Sequence, residues 1–230
     1  MASYLLPVLA GSRPVCLPRS PAPISPRLRR SLGIEDQTAS GEGYALTFDD
    51  GPHAQGTPAV LELLASERVH ATFFLVGEQV RRNPALAGEI AEAGHTIGLH
   101  CDRHRNLLRL TPWQVREDIA RALDTIESAT GCTPQLYRPP YGVLNASALR
   151  VAKRHHWRTL MWSHWGRDWE ARATPASIAV RVTDGAGEGA VLLLHDADDY
   201  SAAQSWTRTV AALPQVLHTL AARGLQSTTP

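Results

Sequence analysis

Cysteine is scarce in this chain. Cys16, Cys101 and Cys132 are the only three in 230 residues, an odd number with no C-x-x-C pair. That argues against a disulfide framework and a structural zinc site, and it suits a reducing compartment. An excess of charge of one sign is missing too. The 23 Lys and Arg stand against 22 Asp and Glu, a net charge of +1, so no global field draws the chain to nucleic acid or to an anionic membrane. The densest basic stretch, Arg27, Arg29 and Arg30, is too short to supply a local field. No run of about 18 apolar residues occurs, so no transmembrane segment is expected. Phenylalanine is scarce as well, with three Phe against six Trp. Indole faces pack against sugar rings as well as they fill cores.

At the N-terminus, residues 4–10 (YLLPVLA) are apolar, but the run is short, Pro7 interrupts it and no basic residue precedes it. It does not read as a signal peptide. The expected location is therefore cytoplasmic, or extracellular and at the cell wall if a leader has been trimmed away. Nothing in the sequence argues for an oligomer, which leaves a monomer as the default.

The remainder has the composition of a folded enzyme-sized unit, 43% apolar and 20% charged. A chain of this length buries roughly 70% of its unfolded surface around one core. Residues 1–43 carry Pro7, Pro14, Pro18, Pro21, Pro23 and Pro26 and end at Gly41 and Gly43. They read as an N-terminal arm, and proline content does not decide whether it lies on the body or forms a mobile tail. The body, 44–230, alternates short apolar runs with helical periodicity, the signature of βα repeats. Strands are expected at 44–48, 71–76, 96–99, 135–138, 158–162 and 191–195, and helices at 58–67, 84–93, 112–129, 146–155, 175–183 and 207–223. Pro58, Pro84, Pro112 and Pro175 each follow a Thr or Asn, the pairing of an N-cap with Pro at the first helical position. About seven such units make an irregular (β/α) barrel, smaller than the eight-unit type. An open doubly wound sheet is the alternative, but no G-x-G-x-x-G follows the first strand to mark a dinucleotide site. A barrel puts its active site at the C-terminal ends of the strands.

The reactive residues fall at those ends. Asp49 and Asp50 close the first strand in Thr47-Phe48-Asp49-Asp50-Gly51-Pro52. Adjacent carboxylates repel, so they either cap a turn or divide two tasks, one holding a cation and the other taking a proton. His100 and His104 follow the third strand at i, i+4 spacing, which can place two imidazoles on one metal ion. With Asp50 they complete a two-His, one-carboxylate set that leaves room for water and substrate, the composition of an open catalytic site. Arg138-Pro139-Pro140-Tyr141-Gly142 closes the fourth strand, WSHWGRDW (162–169) the fifth, and Leu193-Leu194-His195-Asp196 the last. A Pro-Pro turn alone is commonly only a rigid loop, and three Trp around Asp168 are commonly a core corner.

In this order and at these strand ends, the residues resemble the polysaccharide deacetylase family, carbohydrate esterase family 4, over residues 44 to about 224. Thr-Phe-Asp-Asp-Gly-Pro with the later His-x-x-x-His is a highly specific combination. The resemblance implies a metal-dependent hydrolase that removes acetyl groups from an N-acetylglucosamine-containing glycan, either a polysaccharide or an oligosaccharide. Asp49 is then the base and His195 the acid. Asp50, His100 and His104 bind one divalent metal, zinc in the first place and cobalt or nickel next. Arg138 would orient Asp49, Asp168 would orient His195, and the Tyr141 backbone N–H would help hold the oxyanion. Pro139, Pro140, Tyr141, Trp169 and Leu193 would line the substrate groove.

Two positions depart from the family pattern. Cys101 stands where Ser or Thr is common, which predicts weaker hydrogen bonding around the metal and sensitivity to oxidation. Trp165 stands where many members have Asp, which alters one wall of the groove. Two other readings stay open beside the leading one: an intracellular deacylase of a non-glycan small molecule, and a carbohydrate-binding protein without turnover.

Overall fold

The computed structural model describes Arg29 and residues 31–230. The apolar run 4–10, the proline cluster, Cys16, Arg27 and Arg30 lie outside the described residues. The strands are β1 (Ile34–Glu35), β2 (Tyr44–Asp49), β3 (Thr72–Val76), β4 (Thr96–Cys101), β5 (Leu136–Tyr137), β6 (Arg158–Leu160), β7 (His164–Trp165) and β8 (Ala190–His195). All pair in parallel, in the order β1-β6-β5-β4-β3-β2-β8-β7. The helices are α1 (Gly56–Glu67), α2 (Gly77–Arg82), α3 (Pro84–Glu92), α4 (Pro112–Thr130), α5 (Ala146–Arg154), α6 (Pro175–Thr183) and α7 (Ser205–Ala221). The result is a curled half-barrel of the (β/α) type expected from the sequence, with β1 and β7 as its edges. Among the described residues no helix is long and apolar enough to cross a membrane.

The pleat sorts the strand residues into two layers. Leu46 and Phe48 of β2, Phe73 and Leu75 of β3, and Leu192 and Leu194 of β8 face the helices and pack with Leu64, Ile90, Ile119, Ile178 and Val216. Their neighbours Ala45, Phe74, Val191 and Leu193 fill the concave side with Leu160, Met161 and Trp162. Because side chains alternate along a strand, Asp49 and His195 share a face with Ala45 and with Val191 and Leu193, and so open at the mouth of the concavity. Both layers are buried, which is why these strands read as unbroken apolar runs.

Two of the expected helix starts hold in detail. Thr111 and Thr174 cap α4 and α6 with reciprocal capping boxes to Gln114 and Ser177. The start of α1 differs: the helix begins at Gly56, and the Thr57 hydroxyl is drawn away from capping to donate to buried Asp196. Among the described residues, β1, β7 and α2 are additional to the expected strands and α-helices. β1 and β7 have two residues each, too short to show a period, and α2 runs on directly from β3. β1 also brings two residues of the stretch assigned to the arm into the sheet, where Arg158 of β6 pairs with Glu35.

Candidate active site

Asp49 ends β2 and is the register partner of His195 at the end of β8, so two potential proton carriers stand side by side on neighbouring strands. Asp49 Oδ1 accepts from Arg138 Nη1 at 2.6 Å. Arg138 is fully buried. Its other donors go to Thr47 Oγ1 at 2.8 Å, Leu160 O at 2.9 Å and Met161 O at 3.1 Å, and its guanidinium lies 3.9 Å from the Phe74 ring centroid. Burial pulls the Arg138 pKa down and Asp49 pushes it back up. Among the described residues the guanidinium pairs with one charged group, Asp49, and its fixed orientation is imposed on that carboxylate.

His195 is fixed just as firmly. Its Nδ1 lies 2.9 Å from Asp168 Oδ1, and its backbone N–H donates to Asp168 Oδ2 at 2.7 Å. Thr209 of α7 donates to the same Oδ2 at 2.8 Å, so buried Asp168 is satisfied from three directions. Burial disfavours a charged imidazole here, but Asp168, through its charge and hydrogen bond, and the charges of Asp50 and Asp49 outweigh it and raise His195 to about 10. Near neutral pH its Nε2 therefore carries a proton, 3.9 Å from Asp50 Oδ2.

Asp50 is turned the other way from Asp49 by its left-handed backbone, φ 79°, a conformation that costs about 1 kcal/mol for a residue with a Cβ. The turn is tight, since a Cβ on Gly51 would lie 2.6 Å from Asp196 Oδ2. Asp50 Oδ1 is buried without a hydrogen-bond partner among the described residues, 3.3 Å from His104 Nε2 and 3.6 Å from His100 Nε2. These three atoms lie within 4.8 Å of one another. Ligand atoms about 2.0–2.2 Å from a tetrahedral zinc lie about 3.3 Å apart, so the cluster fits such an ion. His100 Nδ1 lies 2.7 Å from Arg138 O, and donation there fixes the tautomer that leaves Nε2 as a lone pair. Burial pushes His100 and His104 down to about 3 and Asp50 up to about 7. Two neutral imidazoles around a carboxylate with an orphaned oxygen form a site that a cation completes.

A second trio, His53, Asp198 and Asp199, is close enough for a metal but chemically unsuited to one. His53 Nδ1 accepts the backbone N–H of Gly56 at 2.9 Å and of Gln55 at 3.3 Å, so its proton sits on Nε2, which faces Asp198 at 3.3 Å.

The two carboxylates and three histidines open into a cavity of about 270 Å³. Tyr141, Leu193 and Trp169 line it, and so do Gly142, Trp162, Trp165, Tyr200 and Ser201. Trp165 and Trp169 meet edge to face at 5.3 Å, and Trp169 meets His195 in the same way at 5.3 Å. Pro139 and Pro140, also expected to line the groove, lie immediately before the cavity-lining Tyr141 and Gly142. Both are buried, and Pro140 opens the turn Pro140–Gly142 that sets Tyr141 at φ 59°. Their rings are spent on fixing the backbone.

The family model described as polysaccharide deacetylase matches residues 36–160. The chain belongs to the polysaccharide deacetylase family. Among its relatives, a peptidoglycan-N-acetylglucosamine deacetylase of Bacillus cereus is 35% identical over 80% of this chain and 84% of its own. A chitooligosaccharide deacetylase of Azorhizobium caulinodans is 34% identical over 81% of this chain and 92% of its own. A solved peptidoglycan N-acetylglucosamine deacetylase superposes with a TM-score of 0.82 at 28% identity, covering 90% of this chain and 94% of that one.

Measured against that family's pattern, the two departures have different consequences. Cys101 is buried, and burial with nearby carboxylates pushes its thiol well above the ordinary range. Oxidation needs an exposed thiolate, so the expected sensitivity is corrected: this thiol is sheltered. Trp165 does reach the cavity and makes that wall aromatic. Sequence reasoning missed Tyr200 and Ser201. They lie in the polar stretch after β8, where an aromatic soon after a strand-end His was the one available signal.

Proposed function

We propose that the protein is a metal-dependent hydrolase that removes N-acetyl groups from an N-acetylglucosamine-containing glycan, with Asp49 as base and His195 as acid. The observation that carries this reading is the placement of Asp49 and His195 as register partners beside the Asp50, His100 and His104 cluster. Zinc is the metal we assign, with cobalt and nickel as substitutes that the same donors accept.

A divalent cation held by Asp50, His100 and His104 would lower the pKa of the attacking water and polarise the acetyl carbonyl. Asp49, with Oδ1 occupied by Arg138, takes a proton from that water through Oδ2 as the oxygen attacks the carbonyl carbon. The Tyr141 backbone N–H, carried on the rigid Pro139-Pro140 turn, assists the developing oxyanion. His195 then delivers its Nε2 proton to the amide nitrogen as the C–N bond breaks, which an amide requires because its anion is a very poor leaving group. Acetate and a free amine result. Asp168 holds the imidazole in place throughout. Trp165 and Trp169 present a neutral aromatic wall suited to an uncharged sugar ring.

The test is acetate release from chitooligosaccharides by metal-stripped protein, with and without added zinc or cobalt, beside a panel of small N-acetyl compounds. Metal-dependent release from the oligosaccharides alone is the expected result. Release only from the small compounds would move the substrate to a non-glycan amide, and no release under any metal would point to binding without turnover.

A further inference from the structure

The two histidines of the cluster are held by different means. His100 has a backbone acceptor for Nδ1, whereas His104 Nδ1 is buried and finds no acceptor on another of the described residues. A histidine that ligates a metal ordinarily takes its orientation from that second hydrogen bond. In place of the bond, His104 has two phenol rings. Tyr200 stacks on it with centroids 4.5 Å apart at 19°, and Tyr141 meets it edge-on at 4.3 Å and 66°.

Tyr200 is itself anchored. Its hydroxyl donates to Glu78 Oε1 and accepts from Gln79 Nε2 at 3.1 Å. The segment 196–204 that carries it runs from β8 to α7 and is tied down along its length. Asp199 pairs with Arg82 at 3.2 Å, Asp198 faces His53 at 3.3 Å, and the Ala202 N–H donates to Trp169 O at 3.1 Å. α2 and the segment after β8 thus form one tethered strap across the His104 side of the cavity.

We propose that Tyr200 is a positioning residue for the metal site, its anchored ring holding the His104 imidazole so that Nε2 stays aimed at Asp50 Oδ1. This inference rests on the reading of Asp50, His100 and His104 as the ligand set. A flat, tethered face fixes the plane of a stacked ring, which an aliphatic side chain of similar bulk does not. The aromatic face is therefore the part of Tyr200 that matters, and the hydroxyl serves to anchor it.

The experiment is a zinc titration of metal-stripped wild type, Tyr200→Leu and Tyr200→Phe against a competing chromogenic chelator. It is paired with the visible spectrum of each cobalt-loaded protein and the melting midpoint of each metal-free one. Tyr200→Leu is expected to bind zinc about 10-fold more weakly and to shift the cobalt spectrum, while its metal-free melting stays near wild type. Tyr200→Phe keeps the ring and stays within about 3-fold of wild type. If Tyr200→Leu does not fold, Tyr200→Met supplies the same contrast. Wild-type affinity and spectrum in the folded Leu or Met variant would overturn this inference alone. A wild-type protein that takes up neither zinc nor cobalt would overturn the ligand reading and this inference with it.

Discussion

The two sides of the cavity mouth are built on opposite plans. On the side of Asp49 and His195, charge meets charge directly: Arg138 bonds Asp49, and Asp168 bonds His195 with both oxygens. On the other side, Asp50 Oδ1 and His104 Nδ1 are buried without hydrogen-bond partners among the described residues, and the Tyr200 ring stacks on His104. On the first side each of these charged groups has a partner of opposite charge. The second is left in deficit, its imidazoles pushed down to about 3 and its carboxylate up to about 7 by burial. On the proposed reading, the chain fixes the groups that would move protons and leaves open the place where an ion would bring its own charge.

The contrast can be sharpened in the metal-free protein by removing one charged group from each side. Arg138→Ala strands Asp49 in a buried site and should cost about 3–5 kcal/mol in denaturant unfolding. Asp50→Asn removes a buried carboxylate with an orphaned oxygen and should leave stability unchanged or raised. Equal losses in both would erase the distinction.

The next effect depends on pH. His195 is raised from 6.5 in the unfolded chain to about 10 in the folded one, so its proton binds more tightly to the native state. The stability it contributes is complete below pH 6.5 and is lost as pH rises through about 10. Asp168→Asn removes the main group that raises it and should flatten this decline in metal-free protein, a change on the order of 3 kcal/mol between the two ends. Urea unfolding of both proteins from pH 6 to pH 10 reads it. A wild-type curve no steeper than the variant's would count against the His195–Asp168 coupling.

Legibility in the sequence followed the same division. Asp49, Asp50 and His195 were readable because each closes or directly follows a short apolar run that marks a strand, and a barrel has one mouth. His100 and His104 were readable by spacing. Arg138, Asp168 and Tyr141 needed the family resemblance, since nothing local in WSHWGRDW or around a Pro-Pro turn announces a role beside a distant side chain. Tyr200 was not readable: its position comes from long-range ties to Glu78, Gln79 and Arg82, and its own surroundings in sequence are polar and aperiodic. The helix that carries those partners, six residues joined directly to β3, gave no separate periodic signal. Thr57 misled for a related reason, because a residue suited to capping was taken by a buried carboxylate far along the chain.

The most direct measurement of the central claim, that proton transfer and metal binding are carried by adjacent but separate carboxylates, is zinc affinity and acetate release determined together for Asp49→Asn. The account predicts zinc binding within about 3-fold of wild type and a rate lower by roughly 10³-fold. A variant that loses zinc along with activity, or one that keeps its rate within about 10-fold of wild type, would contradict it.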